Sequence, residues 1–84
     1  MTLPPRYPPT ARARRIEGFV EVEFTVKTDG STADIRIIRA EPSSVFDRTT
    51  EQAIHRWRFQ AHRVDGKPMA VQARQRVDFR LGSR

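Results

Sequence analysis

The sequence predicts an α+β two-layer sandwich, a three-stranded antiparallel sheet with two helices on one face. Three observations lead there. Val20, Val22, Phe24 and Val26 interleave with Glu21, Glu23 and Thr25, and a period of two marks a half-buried strand. A second alternation closes the chain: Val71, Ala73, Val77, Phe79 and Leu81 fall on one face, and Gln72, Arg74, Arg76, Asp78 and Arg80 on the other. Between the two, Phe46, Thr50, Ala53, Ile54 and Trp57 recur at helical spacing and form one apolar stripe.

The chain opens on an arm, residues 1–9, in which Pro4, Pro5, Pro8 and Pro9 cluster. Proline fixes φ and removes a donor, so this arm is extended and stays out of any central strand. It reads as the end of a proline-rich linker, with the domain proper at residues 10–84. Thr10 to Arg15 carries good helix formers, Pro9 suits a first turn, and Gly18 is the expected break. The first strand follows, up to Val26. Thr28-Asp29-Gly30-Ser31 is then a turn, because glycine accepts positive φ. A second strand is expected from about Ala33 to Ala40, with Ile35 and Ile37 on one face and Ile38 on the other. Pro42 stops it. Ser43 or Ser44 is the expected cap of the second helix, with Asp47 favourable at its positive end. That helix should end near Arg58. Residues 60–69 read as a loop turning at Asp65-Gly66-Lys67-Pro68, and the third strand runs from about Ala70 to Leu81.

The order helix, strand, strand, helix, strand places the strands as second–first–third. The return through the second helix is shortest if the third strand lies antiparallel beside the first. The helices then cover Val20, Val22, Phe24, Val77 and Phe79, and the opposite face stays wet. The last strand is a long edge. Arg74, Arg76 and Arg80 blunt it against unwanted pairing, or the edge is kept open so that a peptide can add a strand.

With 84 residues the chain is one domain with a modest core. It has no cysteine, which excludes disulfides and thiolate metal sites. No apolar run approaches the roughly 20 residues of a membrane span. His55 and His62 stand at no metal-ligand spacing. Ser43 and Ser44 are explained by capping, and the outward Glu21 and Glu23 lack anything to desolvate them. No catalytic residue, metal or cofactor is therefore expected. The formal charge is +6, and arginine supplies 14 of the 16 basic residues. That balance suits acidic partners, nucleic acid among them. Single-strand binders, however, need aromatic platforms on the basic face. Phe24, Phe46, Trp57 and Phe79 all fall on core faces, only Tyr7 and Phe19 are candidates for exposure, and Glu21 and Glu23 would repel phosphate.

Tyr7-Pro8, Arg15-Ile16-Glu17-Gly18, Asp29-Gly30, Phe46-Asp47 and Trp57-Arg58-Phe59 occur in this order and spacing. Together they resemble the TonB C-terminal domain family over about Tyr7 to Leu81. The resemblance implies a periplasmic, non-enzymatic module of a protein anchored in the inner membrane of a Gram-negative bacterium. Its last strand would pair with the TonB box of an outer-membrane transporter, for uptake of a siderophore or haem, and deliver work from the ExbB–ExbD motor. The implied partner-binding residues are Arg74, Gln75, Arg76, Val77, Asp78 and Phe79 on the pairing strand, and Tyr7, Pro8, Thr10 and Arg12 in an N-terminal contact region. Thr10 stands where many family members carry arginine, a role open to Arg12 or Arg14. The pairing strand is also more basic than usual. Exchange of that strand between two copies would make a homodimer. The alternative reading is a basic nucleic-acid-binding or general protein-interaction module.

Overall fold

The computed structural model describes residues 1–82. The elements are α1 (Pro9–Ala13), β1 (Gly18–Val26), β2 (Thr32–Glu41), α2 (Asp47–Arg56), β3 (His62–Val64), β4 (Lys67–Met69) and β5 (Val71–Phe79). One sheet has the order β2-β1-β5, both pairs antiparallel, and β3 with β4 forms a separate ribbon. The expected second–first–third order and two-layer sandwich hold.

The alternation of β1 builds the core. Val20, Val22, Phe24 and Val26 are all buried. With Ile54 and Trp57 of the second layer, the last three form one cluster, against which Ile35 and Ile37 of β2 and Val71, Ala73 and Val77 of β5 pack. A second cluster joins Val20 to Ala11, Phe46 and Phe79. There the rings of Phe46 and Phe79 stack at 4.2 Å, and Tyr7 meets both edge-on at 5.6 and 5.8 Å. Such pairs add stabilisation beyond the buried area alone.

Several local expectations need correction. Helix α1 begins at Pro9 and ends at Ala13, well before Gly18. Its stop is Arg15 at φ 55, with Ile16 N–H donating to Ala11 O (2.9 Å) and Arg15 N–H to Arg12 O (3.1 Å). This double bond with a left-handed residue is the Schellman arrangement, made here by arginine in place of glycine. Gly18 serves another need. A Cβ there would sit 1.9 Å from Glu41 O. Neither Ser43 nor Ser44 caps α2. The N-cap is Phe46, which makes no side-chain cap bond. The phenyl ring is instead drawn into the core, and Thr50 Oγ1 donates back to Phe46 O at 2.8 Å. The segment read as a loop over 60–69 is the β3–β4 hairpin. Asp65 and Gly66 lie at φ 53 and 77, the two positive values a type I′ turn requires.

The two edge strands differ. β5 pairs with β1 from Val71 to Phe79 without interruption. β2 slips twice against β1, between Glu21 and Val22 and between Glu23 and Thr25. Ile38 is the extra residue of the first slip, and Asp34 sits at φ 52 within the second. Helix α2 packs over the β2 side of the sheet.

Candidate functional site

Main-chain groups alternate in direction along an antiparallel strand. Lys27, directly after β1, donates to Ser31 O at 2.8 Å across the β1–β2 turn. Odd-numbered residues of β1 therefore turn N–H and C=O toward β2, and even-numbered ones toward β5. The even-numbered ones stand opposite Val71, Ala73, Gln75, Val77 and Phe79, which are bonded inward. Gln72, Arg74, Arg76 and Asp78 present their main-chain groups at the free edge. Leu81 N–H, two residues past Phe79, donates to Glu17 Oε2 at 2.8 Å on the β1 side, as the same alternation requires.

The side chains of these outward residues lie on the wet face among opposite charges. Arg74 Nε donates to Glu23 Oε2 at 3.2 Å, and Arg36 bonds the other oxygen of the same carboxylate. These two bonds, Arg36 first, hold the Glu23 carboxyl below the usual carboxylate range. Arg76 Nε donates to Asp78 Oδ1 at 3.0 Å, and Arg76 Nη1 lies 3.9 Å from Glu21 Oε2. The Arg76 guanidinium also covers the Phe19 ring at 3.9 Å, and Arg39 approaches the ring at 5.4 Å. The face predicted as basic is thus a lattice in which Arg36, Arg39, Arg74 and Arg76 all have carboxylate partners. Phe19, a candidate for exposure from its place in the polar row of β1, is half-buried, and with the Arg76 guanidinium over its ring it offers no open stacking platform.

The predicted site residues divide into two groups. Arg74, Gln75, Arg76 and Asp78 are exposed along one edge; Val77 is half-buried, and the Phe79 side chain lies in the core. At the N-terminal region, Thr10 is exposed in α1 and Arg12 lies over the Tyr7 ring at 5.1 Å. Tyr7 is half-buried, and its hydroxyl donates to Ile16 O. Burial, then the nearby Glu17 carboxylate, push its phenol pKa up, while Arg12 pulls it down. Tyr7 joins the two groups, because its ring touches that of Phe79, the last residue of β5. Sequence reasoning missed which residues of β5 face outward. That depends on register, and no local pattern carries it.

Among the described residues no group of three or more histidine, cysteine, aspartate or glutamate side chains is placed to hold a metal ion. None of the described helices is long and apolar enough to cross a membrane.

Residues 4–81 match the family described as Gram-negative bacterial TonB protein C-terminal. Protein TonB of Pseudomonas aeruginosa is 43% identical over 81 residues, covering 96% of this chain and 24% of that protein. Protein TonB of Escherichia coli (strain K12) is 42% identical over 64 residues, covering 76% of this chain and 25% of that protein. The chain therefore spans about a quarter of the length of these relatives. A solution NMR structure of the Pseudomonas aeruginosa TonB C-terminal domain superposes with a TM-score of 0.88 at 42% identity, over 100% of this chain and 85% of that one. A structure of the TonB2 protein from Vibrio anguillarum gives 0.73 at 36% identity, over 94% of this chain and 76% of that one.

Proposed function

The chain belongs to the Gram-negative bacterial TonB protein C-terminal family, and from this premise we propose that it accepts an extended peptide as a fourth strand on the free edge of β5. The peptide is the TonB box of an outer-membrane transporter. One observation carries this reading: nine paired residues without a slip leave the outward main-chain groups of Gln72, Arg74, Arg76 and Asp78 in a row without a strand partner, only a long 3.4 Å bond from Gln75 Nε2–H reaching Arg76 O. Strand addition draws its affinity from such main-chain bonds and its specificity from alternate side chains. The module acts in the periplasm without catalysis. Residues 1–9 are the end of a linker and residues 10–84 the domain. The inner-membrane anchor and the contact with ExbB–ExbD belong to the rest of a longer protein. The same edge is the surface that strand exchange between two copies would use. The balanced charges of the wet face favour this reading over a phosphate-tracking one, since arginines already paired with carboxylates neutralise fewer phosphates and so release fewer of the nucleic acid's counterions.

Amide-shift mapping with a TonB-box peptide tests the proposal. Shifts should follow Gln72 to Asp78. Arg76→Pro removes an outward donor, which an edge strand tolerates on its free side, so the fold should survive while binding falls at least tenfold, the loss of about one well-made hydrogen bond. Shifts confined to the Asp29-Gly30 turn would refute the assignment.

A further inference from the structure

The arm runs along the outer side of α2, and the two wall an open cleft: Leu3, Pro4 and Pro5 on one side, Gln52, Arg56 and Trp57 on the other. Three donors of the folded domain take its carbonyls. Arg58 N–H donates to Met1 O at 2.9 Å, Trp57 Nε1–H to Leu3 O at 2.7 Å, and Thr49 Oγ1–H to Arg6 O at 2.5 Å. Residues 1–6 thus run antiparallel to α2, from its C-terminal end back to its first turn. The Trp57 ring is core, edge-on to Phe24 and Phe59, but its N–H leaves the core and meets only the arm.

This side of α2 suits a proline-containing segment. Pro4 and Pro5 have no N–H to leave unpaired, and their fixed φ lowers the cost of ordering the arm against the indole. The hold is shallow. Met1 and Leu3 are 80% and 66% exposed, and residues 1–6 form neither helix nor strand. Segments with little buried apolar surface open before the core does. At Tyr7 the situation changes, because its ring is packed against Phe46 and Phe79.

We propose that the outer side of α2 is a recognition site for an extended proline-containing segment, engaged in cis by residues 1–6 through these three bonds, which leave it as one unit while the sheet and helices stay folded. The inference stands apart from the reading of β5, and its test does not involve that edge. Hydrogen exchange is followed by NMR on the whole chain. The Trp57 indole N–H and the Arg58 amide should exchange together, and well ahead of the Val20 and Val22 amides. Thr49→Val should speed both about tenfold and leave the sheet amides unmoved. In a chain with Leu3 to Arg6 replaced by glycine and serine, a six-residue peptide of the sequence 1–6 should restore protection to the indole N–H. Exchange of the indole only in step with the sheet amides, unchanged rates in Thr49→Val, or no protection by the peptide would each overturn the proposal.

Discussion

The two edges of the sheet face the same problem and meet it differently. A free edge is a row of unpaired donors and acceptors that invites pairing, and bulges are one way to blunt it. On β2 the ladder slips twice, and α2 sits over that side. A bulge twists and interrupts the edge, so an incoming strand finds no continuous partner. On β5 nine residues run in register with β1. Its arginines reach back to Glu21 and Glu23 and do not project along the edge. Within one sheet of three strands, one side is closed to pairing and the other open. The asymmetry ties function to register more than to composition, since both edges are rich in arginine.

The largest expected effect is on what the edges share. Trp57 lies in a cluster against which residues of both β2 and β5 pack. Trp57→Ala should cost roughly 3–5 kcal/mol, a large part of the 5–15 or so available to a domain. Urea unfolding followed by circular dichroism reads the loss. Amide exchange should show both edges loosened. Loosening of β2 alone would mean that the edges do not rest on one core.

Next comes direction along β5. Gln75 is bonded inward and Arg76 outward. Gln75→Pro should destabilise by about 1–3 kcal/mol, because it leaves a β1 acceptor without its partner. Arg76→Pro should cost much less in the same melt. Equal losses would show that the outward row has been assigned to the wrong residues. On the closed edge, deleting Ile38 should bring Ile37 and Arg39 into regular pairing with Val22 and Glu21. Stability should change by less than about 1 kcal/mol, since the site is exposed. Sedimentation should nonetheless reveal concentration-dependent self-association. A monodisperse variant would mean that the bulge is not what closes β2.

Much of this was legible in the sequence because it is local. The Val20 to Val26 alternation, the α2 stripe ending in Trp57 and the Asp29-Gly30 turn each depend on a few neighbouring residues, and strand order followed from connection length. The misreadings share a cause. The Asp65-Gly66 signal equals that of Asp29-Gly30, but its flanking strands are three residues long and exposed, so alternation is missing. Ser43 and Ser44 fit a cap locally, yet burial of the Phe46 ring decides where α2 begins. The bulges of β2 and the outward row of β5 belong to pairs of strands, and no single segment encodes them. Of the expected edge residues, Phe79 keeps its place in the strand but spends its side chain on the core.

The smallest expected effect falls on the one carboxylate that, among the described residues, bonds both edges. Glu23, on the central strand, accepts from Arg36 on β2 and from Arg74 on β5. Its pKa is lowered in the folded protein. A carboxyl depressed by folding contributes stability at pH values above its unfolded pKa and loses it as pH falls through the folded one. Its contribution should therefore be complete at neutral pH and fade on acidification below about 4.5. Glu23→Gln should flatten that part of the stability profile and leave the neutral region shallow. Both arginines are exposed, so the effect is small and weakens with salt. The bond from Arg36 is the stronger influence on Glu23, and Arg36→Gln should therefore remove more of the acid sensitivity than Arg74→Gln. Chemical denaturation between pH 3 and 7 separates the two variants. The opposite order would place the electrostatic anchor of β1 on its open edge, where an incoming strand would compete for Arg74.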